Sequence, residues 1–189
     1  MRRAPSYVER VGALMNVRGV LLAGAGVLTC ALLSGPAQAA QSIYLEISGV
    51  PGEVVTPAAF ANQIQILSIS SGASRPCGNS PLSMGSVNIM KLTDKATVKL
   101  SAAMRDHTVY PTATIRFVRS DGQVYQTYTM NNAIVESLQT SGSEGGDDRS
   151  TESVSFNYAS LTVSYQFFDG AGKPNGALDT MTFTNPSCP

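Results

Sequence analysis

The amino-acid sequence predicts a mainly β domain, a small closed or nearly closed β-barrel of long, bent antiparallel strands with one short α-helix; a two-sheet β-sandwich is the alternative. Three observations predict it. Apolar and polar residues alternate over most of the chain beyond residue 40, the period of strands with one buried face. Clusters of Gly, Pro, Asn and Asp punctuate these runs. Only one stretch, around residues 93–104, carries helical spacing instead.

The first forty residues read as an address. Arg18 precedes the apolar run 20–33, which ends in Ser34-Gly35-Pro36-Ala37-Gln38-Ala39. A positive flank, a short apolar core and a small-x-small end form a secretory signal peptide. The run is shorter than the ~20 residues that span a bilayer. Cleavage after Ala39 is expected, with translation starting at Met1 or Met15. That divides the chain into a signal peptide, 1–39, and a single domain, 40–189, exported to the periplasm or beyond with no stable membrane insertion once the signal is removed.

Processing removes Arg2, Arg3, Arg10 and Arg18 against Glu9, which leaves 9 basic and 12 acidic residues. It also leaves two of the three cysteines, Cys77 and Cys188. An even count in an exported chain points to a disulfide, with two unpaired thiols as the alternative. Closing a loop of roughly 110 residues contributes about 4–5 kcal/mol in the chain-entropy account.

Element by element, Ile43, Leu45 and Ile47 alternate with Tyr44, Glu46 and Ser48 in a first strand, which Pro51-Gly52 stops. Residues 63–70 alternate but slip by one at Leu67, as a bulge would. The Ser-, Gly- and Pro-rich stretch Ser71–Gly85 reads as a long loop. A strand follows over Val87–Leu92; then Thr93 or Asp94 caps a helix to about Met104, with Ala96, Leu100, Ala103 and Met104 on one face.

Ala113, Ile115 and Phe117 mark the next strand, and Asp121-Gly122 signals a two-residue hairpin. The return arm Val124–Leu138 bends near Asn131-Asn132. A polar loop follows, then a last arm from Val154 to Phe167 whose phase slips at Ala159-Ser160. Asp169-Gly170-Ala171-Gly172 ends it.

Composition and motifs exclude several classes. A net charge of zero over the full chain gives no excess to neutralise phosphates, so no nucleic-acid partner is expected. His107 is the only histidine and sits at the helix exit, which reads as a helix-end residue rather than a general base. Glu144, Asp147 and Asp148 match no calcium loop. Gly172-Lys173 lacks the remaining residues of a phosphate loop. The tyrosines lie in strands, where aromatic residues pack. No catalytic, cofactor or metal residues are expected.

The order of segments carries a resemblance. Ser42-Ile43-Tyr44-Leu45-Glu46-Ile47-Ser48-Gly49-Val50-Pro51-Gly52-Glu53, then Leu92-Thr93-Asp94-Lys95-Ala96, then Ser141–Asp147 followed by Thr151–Tyr158, resembles the haemolysin-coregulated proteins. These are the inner-tube subunits of type VI secretion systems. The similarity runs over about residues 42–173.

The resemblance implies a β-barrel closed by one helix, six-membered rings of identical subunits, and stacking into a tube whose lumen carries effectors. Implied partners are further copies of the chain and type VI spike, sheath and effector proteins; no enzyme chemistry is implied. The loop Ser71–Gly85 becomes the ring-to-ring contact, with Arg75, Pro76, Asn79, Pro81 and Leu82 as its candidate residues. Two features depart from the family: the export signal, and a C-terminal segment that Cys188 fastens to Cys77 if the two pair. An exported monomeric binding module on the same barrel is the alternative function.

Overall fold

The computed structural model describes residues 41–75, 77, 82–144 and 148–185. The expected signal peptide, 1–39, lies outside them, as do Pro76, Asn79, Pro81, Asp147 and Cys188. Among the described residues no helix is long and apolar enough to cross a membrane.

The chain is mainly β with one α-helix. In order it forms β1 (Ser42–Ile47), β2 (Ile64–Ile66), β3 (Ser68–Ser70), β4 (Ala73–Ser74), β5 (Ser83–Met84), β6 (Val87–Leu92), α1 (Ala96–Arg105), β7 (Val109–Val118), β8 (Val124–Ser141), β9 (Thr151–Asn157), β10 (Ser160–Tyr165) and β11 (Asp179–Thr184). A 3₁₀ turn occupies Ala58–Phe60.

Nine strands share one antiparallel sheet in the order β2-β1-β7-β8-β9-β6-β3, and β8 also pairs with β10, which pairs with β11. The hydrogen-bonded order is an open path rather than the closed ladder of a barrel. Its two ends, β2 and β3, are nevertheless successive stretches of chain separated by Leu67 alone, whose N–H donates to Met90 O at 2.7 Å. The slip read at Leu67 is the point where the chain leaves β1 and joins β6.

The two other irregularities sit opposite each other. Asn132 has φ +50°, and there β8 changes neighbour from β10 to β9. Across from it, Tyr158 and Ala159 break the last arm into β9 and β10, which lie end to end along one edge of β8. Ala159 N–H donates to Asn131 O at 3.0 Å and holds the junction closed.

Alternation decides the core. Leu45, Ile47, Ala113, Ile115, Phe117, Met130, Val154, Phe156 and Leu161 point inward and pack with Leu100 and Ala103 of α1. A smaller cluster lies on the opposite face of β1, where residues 48–63 fold over Tyr44; its ring stacks on Phe60 at 4.6 Å.

Four sequence expectations need correction. The turn after β7 is not a two-residue loop: Gly122 N–H donates to Arg119 O, Arg119 N–H donates to Gln123 O, and only Gly122 has positive φ. This is a three-residue loop with glycine in the left-handed position, and the ladder shifts register beside it. Ser71–Gly85 is not wholly loop, because β4 and β5 pair within it as a short ribbon. β8 runs three residues beyond Leu138. Lastly β11, absent from the sequence reading, adds a strand to β10.

Candidate functional site

The N-terminus of α1 stands on a buried charge cluster. Alternation along β6 turns Val87, Ile89 and Lys91 inward, and along β9 it turns Glu152, Val154 and Phe156 inward. The β6–β9 register then places Lys91 opposite Glu152. Lys91 Nζ donates to Glu152 Oε2 at 2.6 Å, to Leu92 O at 2.8 Å and to Thr97 Oγ1 at 3.2 Å, and lies 2.9 Å from Asp94 Oδ1. Thr97 Oγ1 donates to Glu152 Oε2 at 2.8 Å.

Two carboxylates thus share one ammonium group. The excess negative charge lies at the helix start, where free N–H groups favour it; Asp94 Oδ1 accepts from Ala96 N–H at 3.0 Å. Of the two expected caps, Asp94 is the one that acts. Both side chains of the Lys91–Glu152 pair are wholly excluded from solvent. With the Lys91 ammonium and the Glu152 carboxylate bonded internally and both excluded from solvent, the cluster joins helix to sheet.

The remaining candidates from the sequence are dispersed. His107 is exposed at φ +50°. Thr108 N–H donates to Ala103 O at 2.9 Å and His107 N–H to Met104 O at 3.4 Å, the pair of bonds that closes a helix in a Schellman motif. Next to it, the hydrogen bond from Arg105 holds the Asp106 carboxyl below its ordinary range.

Glu144 and Asp148 are exposed, and no three His, Cys, Asp or Glu residues gather among the described residues. Gly172-Lys173 forms the end of a turn in which Asp169 Oδ1 accepts from Ala171 and Lys173 N–H. Tyr158 is fully buried, donates to Gly85 O at 2.8 Å, and has its phenol pKa pushed up by burial.

Of the expected contact loop, Arg75 is exposed and Leu82 half-buried at the ribbon formed by β4 and β5. Cys77 is exposed in the same loop. A cleft of about 530 Å³ lies beside β1 and is bordered by Glu46, Asn62, Gln63 and Thr114. Gln63 Oε1 is buried there without a hydrogen-bond partner, and Glu46 is held by Arg116 at 2.6 Å.

Sequence reasoning missed a surface. β11 pairs only with β10, so its second edge is free among the described residues. On the inward-facing side of this sheet end, Tyr165, Phe167 and Met181 remain exposed, Met181 at 61%. Tyr165 meets Tyr125 and Phe167 edge-on, at 6.2 and 5.1 Å. The signal was the alternation of Asp179-Thr180-Met181-Thr182-Phe183-Thr184.

The fold is that of a mainly β protein with a free sheet edge at β11 among the described residues. Comparison with known proteins gives the family. The sequence model described as "Type VI secretion system effector, Hcp" matches residues 44–165. "Protein hcp1" of Pseudomonas aeruginosa is 38% identical over 96 residues, 49% of this chain; the match spans 56% of that relative's length.

Among solved structures, one described as a type six secretion system protein is 25% identical, with a TM-score of 0.71 over 77% of this chain and 96% of the other. Hcp1 from Salmonella typhimurium shares the fold with a TM-score of 0.66 at 20% identity, over 79% and 97% of the two chains. The chain belongs to the Hcp family of type VI secretion proteins.

Proposed function

We propose that the chain is a structural, non-enzymatic tube subunit: copies join side by side into a six-membered ring, and rings stack into a tube that carries effectors. One observation carries this reading. The family match and the likeness to solved type VI proteins both extend over most of the domain that follows residue 40. A ring requires a head-to-tail interface that closes on itself. The free edge of β11 and the apolar residues beside it supply one half of such a seam.

Each subunit in this reading is a barrel, with the sheet closing where Leu67 joins β2 to β3. The ribbon carrying Arg75 and Leu82, together with Pro76, Asn79 and Pro81, contacts the next ring. Type VI spike, sheath and effector proteins are the further partners. Residues 1–39 direct export and are removed, and Cys77 pairs with Cys188 in the oxidising compartment.

Native mass spectrometry and electron microscopy of the processed protein test the assembly. Six-subunit rings are expected; a monomer that persists at high concentration overturns the reading. The signal-peptide pattern favours a second reading, an exported monomeric binding module with its site on loops. For that reading the outcome is a saturable partner without self-assembly.

A further inference from the structure

The connection from β10 to β11 holds the chain's one Asn-Gly pair, Asn175-Gly176. Asparagine is chemically labile before glycine, because a following residue without a Cβ leaves its backbone nitrogen open to the side-chain amide. The local structure keeps that approach free. Asn175 and Gly176 are both exposed, Gly176 has φ +79°, and the place a Cβ would take there has nothing within 4 Å. The backbone is anchored on either side of the reacting atoms. Asn175 N–H donates to Phe167 O at 2.8 Å, and Gly176 O accepts from Gln166 Nε2 at 3.5 Å. Among the described residues, the Asn175 side-chain amide and the Gly176 N–H have no hydrogen-bond partner.

Comparable positions are held. Asp121 and Asp169 also precede glycines, and an aspartate can close the same cyclic imide. Asp121 Oδ1 accepts from Gln123 N–H at 3.0 Å, while Gly122 N–H donates to Arg119 O at 2.9 Å. Asp169 Oδ1 accepts from Ala171 N–H at 2.9 Å and from Lys173 N–H at 2.8 Å. Asn62 precedes Gln63, whose N–H donates to Phe60 O at 3.1 Å, and Asn157 Oδ1 accepts from Tyr158 N–H at 2.9 Å. Asn88, Asn131 and Asn132 lie within β6 and β8.

We infer that Asn175-Gly176 is a self-modifying site at which the loop exchanges a neutral amide for a carboxylate. Gly176 N gives its proton to hydroxide and bonds to Asn175 Cγ. The Cγ–Nδ2 bond breaks, and the nitrogen leaves as ammonia after taking a proton from water, which returns the hydroxide. Water then opens the cyclic imide. Addition at Cγ gives aspartate; addition at the Asn175 backbone carbonyl carbon gives isoaspartate. The net change is one water consumed and one ammonia released, with nothing oxidised or reduced.

The new charge stands in the segment that delivers β11, shortly before Asp179. Fresh and aged chains therefore differ by one negative charge at the entry to the free strand. In the isoaspartate form they differ also by one extra backbone carbon.

The test incubates freshly prepared, processed protein at acidic and at mildly alkaline pH, beside a free peptide spanning residues 172–180. Mass spectrometry of the digested protein should show residue 175 heavier by about 1 Da, the difference between a hydroxyl and an amino group. Its rate should rise in proportion to hydroxide. It should lie within about tenfold of the free peptide's rate, because an exposed loop without hydrogen bonds at the reacting atoms gives little protection. Isoaspartyl methyltransferase should label the same segment, and Asn175→Gln should lose both the label and the mass gain there.

A rate more than about tenfold below that of the free peptide overturns the inference, because the fold would then restrain the pair. Faster conversion at Asn62, Asn88, Asn131, Asn132 or Asn157 than at Asn175 overturns it too, as does labelling of this segment that persists in Asn175→Gln.

Discussion

Lys91 Nζ and Glu152 Oε2 meet at 2.6 Å across neighbouring strands, with both side chains wholly buried. An ion pair so placed gains little over apolar residues of the same volume, but removing one partner strands the other charge. Lys91→Met leaves Glu152 and Asp94 facing each other without a cation and should cost about 3–5 kcal/mol in urea unfolding. The double variant Lys91→Met with Glu152→Leu should recover much of that loss, although Asp94 still lacks its cation. A single variant within about 1 kcal/mol of the parent would show that water or a shifted side chain compensates the charge.

Glycine at position 52 is required by a backbone approach. A Cβ there would lie 2.1 Å from Gln63 O, and Gly52 N–H donates to Asn62 O at 2.7 Å to close the segment that covers Tyr44. Gly52→Ala must push these strands of chain apart, at a cost of about 1–3 kcal/mol. Gly72, with nothing within 4 Å, is the matched control and should accept alanine within about 0.5 kcal/mol. Equal thermal midpoints for the two variants would contradict the close approach.

How legible these features are in the sequence depends on whether burial falls on one face. β6 and β7 show themselves because Ile89 and Ile115 lie in the core while the residues beside them along the strand are more exposed; β1 keeps the same alternation in sequence although residues 48–63 bury Tyr44 on its other face. The irregularities at Leu67 and Ala159 are visible as breaks of phase. The same alternation assigns Lys91 and Glu152 inward, so each is conspicuous as a charge at a core position. That they neutralise one another follows only from β6 lying beside β9, strands separated in sequence by α1, β7 and β8.

β11 was missed for the opposite reason. Its apolar residues, Met181 and Phe183, are not enclosed by the domain, and a Gly- and Pro-containing loop precedes it. The turn at Gly122 shows a third limit. Asp-Gly suits a two-residue loop, but the pairing of Phe117 with Gln126 and of Val118 with Val124 fixes a wider one. Contact surfaces were the least legible part, because an unpaired edge has no sequence mark apart from its strand.

Pairing of Cys77 with Cys188 gives a clean chemical prediction. Cys77 is exposed in the ribbon loop, so a free thiol there would react with iodoacetamide in the native protein. Exported, oxidised protein should take up no iodoacetamide, native or unfolded, and two equivalents after reduction. Reduction should lower stability by about 4–5 kcal/mol if the long loop is closed without strain. Two reactive thiols before reduction would show that the cysteines are independent.

Met181 separates folding from assembly. Its side chain is 61% exposed, next to Val163 in the β10–β11 register and on the free strand of the sheet. Within a subunit little is lost when it becomes polar, so Met181→Asp should shift unfolding free energy by no more than about 0.5 kcal/mol. At a seam the same change buries a carboxylate against apolar surface, where it has no partner, a cost of several kcal/mol at each contact. Six such contacts compound around a ring, so the variant should sediment as a folded monomer under conditions in which the parent forms rings. Rings of normal stability with Asp at 181 would place the seam elsewhere, because β11 would then leave its apolar side open to water in the assembly as it does in the single chain.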